Sequence, residues 1–410
     1  MTSSLDLRSL NPFVRLNRLL HGIEPGRAPS ADGKPLDLGI GNPRTGMPAT
    51  GAEAIAAAVV GWNAYPPFEG HPRLLEVAAA WLTQLYALPD DFTTGQGRVL
   101  PTSGSREGIF FLTQAAATRK RHVSGPVKPL ALLPDPGYHV YAGSALAADL
   151  EPRYISVNAA GRHLPDFAQL PECDLERTAI AFLCSPSNPQ GTAAGRTQLA
   201  EALALARRHD FILVTDECYG DLYFGEAPPG GLSVAANEGG GSLANLVAAH
   251  SLSKRSGAPG LRCGFLTGDT AILDSTEGLL RFGGSSVPLP VQEAAIALLA
   301  EETHVEANRA FYRCNMGLAE RHFGATFGWS APDGGFFAWL DVGGVPVGDG
   351  ETACRKLWQE AGIRTLPGAY MSLSGRPPEE NPGRRYLRIA LVDEAELLDR
   401  ALARIAETLL

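Results

Sequence analysis

Short, almost uninterrupted apolar runs alternate with longer amphipathic stretches through the middle of this chain. The apolar runs are residues 129–133, 179–183, 211–215 and 246–250, each followed by turn-forming or polar residues. Runs of this length, apolar on both faces, predict strands of a mainly parallel sheet buried beneath helices on either side. Between two of them, residues 196–210 set Leu199, Leu203 and Ala206 at the spacing of one helical face. The repeated strand-helix unit predicts an α/β domain. The last third reads differently, with a long helical stretch over 291–322, a strand over 334–340, another helix, and a strand over 386–391. That order predicts a smaller α+β domain, joined through the Pro/Gly/Ser-rich stretch 283–290, with 374–385 as a surface loop.

Composition sharpens this picture. At 410 residues and 45% hydrophobic, the chain is long enough for two packed domains. A net charge of -9 without a long basic run argues against a nucleic-acid partner, because neutralising phosphates takes clustered Lys and Arg. Residues 1–8 lack a basic segment followed by an apolar one, and no apolar run is long enough to span a bilayer. The expectation is a cytoplasmic protein with small-molecule partners and no membrane. Cys173, Cys184, Cys218, Cys263, Cys314 and Cys354 show no CxxC pair and no Cys/His spacing suited to zinc, so no metal is expected and the thiols read as reduced. Cys184 and Cys218 lie in or beside apolar runs, where a thiol usually acts as a small hydrophobe.

Candidate chemistry gathers at the carboxyl ends of the predicted strands. Residues 251–262, SLSKRSGAPGLR, place an amine, hydroxyls and a second cation just after a strand. Lys254 there can form an imine with an aldehyde cofactor, while the hydroxyls and Arg262 can bind a phosphate; the plain alternative is a basic loop. Asp216 and Tyr219, three residues apart, follow another strand. A buried Asp216 facing a pyridine nitrogen would keep it protonated, and Tyr219 could hydrogen-bond a ring oxygen, although the pattern alone is usually structural. Residues 185–191 form a Pro-rich turn presenting Asn188. Gly104 and Ser105 precede an apolar helical run, a place for either a phosphate or a simple Ser cap.

Taken together and in this order, these segments resemble the pyridoxal-phosphate-dependent aminotransferases of fold type I, class I/II, over nearly the whole chain. The resemblance implies a large domain over 51–290 with a seven-stranded type of mainly parallel sheet, a small domain over 291–410, and an N-terminal segment, 1–50, joining the small one. It implies pyridoxal 5'-phosphate as cofactor, Lys254 as its Schiff-base lysine, Asp216 as the partner of the ring nitrogen, and Tyr219 and Asn188 as donors to the ring oxygen. Gly104, Ser105, Arg106, Ser251, Ser253 and Arg262 correspond to the phosphate side of the cofactor site, and Tyr138 to the aromatic that stacks on its ring. Tyr65 corresponds to a tyrosine that reaches the other subunit's phosphate, which implies a homodimer. Arg388 corresponds to the α-carboxylate clamp, a role suited to two parallel N–H donors, and Gly41 to a backbone contact on the same carboxylate.

Longer phrases are similar to bacterial N-succinyldiaminopimelate aminotransferases, including residues 104–107, 216–219, 251–256, 259–262 and 388–392. That similarity implies exchange of an amino group between N-succinyl-LL-diaminopimelate and 2-oxoglutarate in lysine biosynthesis, with Arg44 and Arg106 as the spare cations for further carboxylates. Residues 41–44 and 283–288 depart from that group and border the substrate side. A lyase, cyclase or oxidase on the same fold shares Lys254, Asp216 and Arg388 and stays open. A cofactor-binding regulatory module would need a DNA-binding segment, and no basic helix-turn-helix stretch is present.

Overall fold

The protein is described by a computed structural model covering residues 8, 10–95, 97–124, 127–157, 162–373 and 375–410. Its strands in chain order are β1 (Leu36–Asp37), β2 (Arg98–Thr102), β3 (Leu130–Asp135), β4 (Glu151–Ser156), β5 (Thr178–Cys184) and β6 (Ile212–Asp216). They continue with β7 (Leu246–Ser251), β8 (Gly264–Gly268), β9 (Phe337–Asp341), β10 (Ile363–Arg364), β11 (Leu366–Pro367) and β12 (Tyr386–Ala390).

Seven of these strands form one sheet in the order β2-β8-β7-β6-β5-β3-β4, parallel except at β8, which runs antiparallel to both neighbours. The apolar runs are continuous because both faces are covered, and alternate side chains go to opposite cores. Leu213 and Ala248 pack with the helices Pro72–Tyr86 and Arg196–Arg208 on one face. Ile212, Val214, Val247 and Ala249 pack with the helices Ser105–Ser124, His139–Ala147 and Thr270–Gly283 on the other.

A second apolar core is built on the three-stranded antiparallel sheet β11-β12-β9. Leu16, Leu19, Leu20 and Leu38 from the N-terminal segment belong to this core, and β1 pairs in parallel with β10. The helical stretch expected over 291–322 is two helices, Leu289–Leu299 and Thr303–Phe327. The chain breaks between them because the Glu301 carboxylate accepts from the Thr303 amide at 2.8 Å while Glu302 pairs with the buried Arg255. Helix Leu289–Leu299 packs with the helices Ala49–Ala57 and Pro72–Tyr86 on the large sheet, so the packing divides one helix later than residue 290. The strand expected from Gly334 starts at Phe337, since Gly334 makes a single bridge to Tyr223. The expected loop 374–385 contains only the short turn of helix Pro378–Glu380 among its described residues, Ser374 lying outside them. No helix among the described residues is long and apolar enough to cross a membrane.

Candidate active site

Parallel strands all point their carboxyl ends to one edge of the sheet, so the residues that follow them converge, the usual position of a ligand crevice in such sheets. Here Cys184 ends β5, Asp216 ends β6 and Ser251 ends β7, and all three line one cavity of about 420 Å³. The three-stranded sheet lines the cavity from the other side with Arg388 on β12 and Phe337 on β9.

Ser251 accepts a hydrogen bond from the Ser253 amide and so caps the short helix Leu252–Arg255, which sets Lys254 into the cavity. Of the chain's lysines, Lys34, Lys120, Lys128, Lys254 and Lys356, only Lys254 lines it. Its Nζ donates to the Gly41 carbonyl at 2.6 Å. Burial, reinforced by the charges of Arg388 and Arg106, lowers its pKa to about 7. A Cβ at Gly41 would lie 2.3 Å from Phe337 Cζ, so a side chain there would displace the ring that walls the cavity.

Asp216 is buried at the floor. Tyr141 donates to one of its carboxylate oxygens and the Cys218 amide to the other at 3.2 Å. Burial raises its pKa, which those hydrogen bonds oppose. Tyr219 is also buried, and burial pushes its hydroxyl well above the ordinary value. Arg388 donates from Nη1 to Asn188 Oδ1 at 3.1 Å and from Nη2 to the Gly39 carbonyl at 2.8 Å, with its guanidinium 4.2 Å over the Phe337 ring. Desolvation by burial lowers its pKa to about 10, so it stays cationic at neutral pH.

An anion cradle lies beside these groups. Ser105 opens the 20-residue helix Ser105–Ser124, whose first amides favour a negative charge. Arg262 donates to the carbonyls of Ser103 at 3.0 Å and Pro259 at 3.1 Å, which fixes its guanidinium against Gly104. Gly104 has φ +91, and a Cβ there would lie 2.4 Å from Arg262 Nη2. The Ser251 hydroxyl donates to Ser253 Oγ at 3.0 Å, and Cys218 Sγ donates to Ser105 Oγ at 3.1 Å. Tyr138 accepts from Arg106 Nε at 3.2 Å.

Thus Gly41, Ser105, Arg106, Tyr138, Asn188, Asp216, Tyr219, Ser251, Ser253, Lys254, Arg262 and Arg388 line one cavity, with Gly104 directly behind it. Arg44, expected on the substrate side, does not, and Tyr65, expected at a second subunit's phosphate, lies outside it. Arg44 is turned away, donating to the Asp393 carboxylate and, at 2.9 Å, to the Asp37 carbonyl. Tyr65 is fully exposed, as are most of Val60 and much of Val59 and Trp62 beside it. Tyr141, His139, Phe13 and Met371 belong to the site or its support and were not singled out by sequence. The aromatic cluster in residues 138–141, just after a strand end, was the available signal for the first two.

Comparison with known proteins fits this geometry. A family model described as "Aminotransferase class I and II" matches residues 33–405. The chain is 33% identical to the 4-dedimethylamino-4-oxo-anhydrotetracycline transaminase OxyQ of Streptomyces rimosus, covering 90% of this chain and 92% of that protein. It is 27% identical to an LL-diaminopimelate aminotransferase of Trichormus variabilis, over 91% of this chain and 90% of the other. The crystal structure of an aminotransferase from Neisseria meningitidis superposes with a TM-score of 0.86 at 32% identity, covering 97% of each chain.

Proposed function

Since this chain belongs to the class I and II aminotransferases, a family dependent on pyridoxal phosphate, we propose that it moves an amino group from an α-amino acid held by Arg388 to a 2-oxo acid, with Lys254 as the residue that carries the cofactor. The observation that carries this reading is the position of the Lys254 amine, buried in the cavity that Asp216 and Arg388 also line, with a pKa of about 7.

The residues present suit the cofactor. Ser105, Ser251, Ser253 and Arg262 supply donors for its phosphate, in a cradle that a Cβ at Gly104 would fill. Asp216, whose ionised form the Tyr141 and Cys218 hydrogen bonds favour against burial, would pair with the ring nitrogen, and Tyr219 and Asn188 would face the ring oxygen. When bound, pyridoxal phosphate supplies a ring that withdraws electrons from the substrate α-carbon. Arg388 binds and orients the substrate carboxylate through its Nη donors, fixing which bond at the α-carbon lies in reach of Lys254. With its amine free, Lys254 Nζ would take the α-proton and deliver it to the cofactor side within the same half of the reaction, and would make the two transfers in reverse order in the second half. A pKa of about 7 suits an amine that must accept and release a proton near neutrality. Burial by Phe336, Phe337 and Tyr219 keeps bulk water from that nitrogen.

The same reading makes the protein a homodimer. Its support is the exposed apolar segment holding Val59, Val60, Trp62 and Tyr65, together with an apolar-walled cavity of about 880 Å³ beside the anion cradle. As donor, N-succinyl-LL-diaminopimelate is the specific candidate that sequence similarity supplies, with 2-oxoglutarate as acceptor and lysine biosynthesis as the setting. The test is a two-step turnover on cofactor-loaded protein, first with N-succinyl-LL-diaminopimelate or L-glutamate alone, then with 2-oxoglutarate added. The reading expects one equivalent of keto acid per site in the first step and restoration of the cofactor band only in the second. Continuous product formation without an added 2-oxo acid would indicate a lyase or oxidase instead.

A further inference from the structure

His139 lines both the reaction cavity and the larger apolar cavity beside it. Its ring sits edge-on to Tyr138 at 5.0 Å and to Phe13 at 6.2 Å, and neither ring nitrogen has a hydrogen-bond partner among the described residues. Lining both cavities without such a partner, the imidazole leaves a donor and an acceptor free to meet a ligand. Burial, then the charges of Arg106 and Arg388, lowers its pKa to about 4, so at neutral pH it offers one donor and one acceptor and no charge.

The rest of this end of the cavity is also poor in free positive charge. Arg388 and Arg262 are assigned to the α-carboxylate and the phosphate, Arg44 is paired with Asp393, and Arg106 holds the Tyr138 hydroxyl through Nε. The walls are Pro12, Phe13, Ile40, Phe337 and Met371. A distal carboxylate placed here would meet apolar side chains and an uncharged imidazole, with Arg106 the one cation among the described lining residues not already assigned.

We infer that the substrate side chain is uncharged, with an apolar or aromatic body, and that His139 is a specificity-determining residue that hydrogen-bonds a neutral polar group on it, such as a phenol or an amide. This rests on the aminotransferase reading above and narrows it away from N-succinyl-LL-diaminopimelate.

The test measures second-order rates of loss of the cofactor band, using L-phenylalanine, L-tyrosine, L-leucine, L-aspartate, L-glutamate and N-succinyl-LL-diaminopimelate as donors. At least one of the first three is expected to exceed every acidic donor by about tenfold or more. His139→Phe should lower the rate with tyrosine about fivefold relative to phenylalanine, the loss of one hydrogen bond. His139→Arg should shift the preference about tenfold or more toward acidic donors, and both variants should keep the wild-type cofactor band and cofactor affinity. Acidic donors reacting fastest in the wild type, or variants that slow all donors equally, would overturn the inference and leave the aminotransferase reading intact. A cofactor band that none of these donors bleaches would overturn both.

Discussion

Replacing Lys254 with Met in the cofactor-free protein should make it more stable, by an amount that depends on pH. Burial holds the Lys254 pKa at about 7 in the folded protein against an ordinary 10.5. Between those values the unfolded chain carries a proton on Nζ that the folded protein does not, so wild-type stability rises with pH across this interval. Below about 7 both states are protonated and the folded protein bears the whole cost of a buried ammonium; above 10.5 that cost is gone. At roughly 1.36 kcal/mol per pH unit, the interval corresponds to about 5 kcal/mol. The Met side chain fills similar space and does not titrate, so the variant's advantage should be greatest near neutrality and below. It should shrink by about 3 kcal/mol between about pH 7.5 and about pH 9.5. The assay is urea unfolding of both cofactor-free proteins at matched concentration, followed by far-UV circular dichroism at several pH values. The other titrating groups cancel in the difference between the two proteins. A difference that stays constant with pH, or widens as pH rises, would refute the reasoning.

Arg388→Lys keeps the charge but not the two parallel donors, so the KM of an α-amino acid should rise about 10- to 150-fold, the equivalent of about 1.5–3 kcal/mol. Cofactor affinity, measured by spectral titration, should change less than about threefold; equal loss of both would count against the carboxylate role. Tyr141→Phe removes a donor that holds the Asp216 pKa down. Its kcat should fall about fivefold, and the acid limb of its pH profile should move upward, because Asp216 must be ionised to pair with the ring nitrogen. An acid limb that stays in place, measured across the pH range with the fastest donor, would argue that Asp216 is held by other means.

The sheet was legible because its strands are buried on both faces, so that 179–183, 211–215 and 246–250 stand out from amphipathic surroundings; only their ends differ by a residue or so. The candidate site was legible for a related reason, since Asp216 ends a strand, Asn188 and Lys254 follow one, and parallel strands bring such positions together. The division at residues 300–302 was not. Apolar spacing continues through it, and the break depends on Glu302 finding Arg255, which is 47 positions away in sequence. Arg44 could not be placed from its neighbours either, because its direction is set by Asp393, 349 positions away. Tyr141 escaped notice for the same reason, its task being defined by Asp216, 75 positions on.

The most direct test of the central claim is to load the protein with pyridoxal phosphate, fix the linkage with borohydride, and map the modified peptide by mass spectrometry. The account predicts a single stoichiometric adduct on Lys254, the only lysine that lines the cavity. It also predicts none in Lys254→Ala, together with loss of the visible cofactor band. An adduct on Lys120 or another lysine, or an unchanged band in Lys254→Ala, would contradict it.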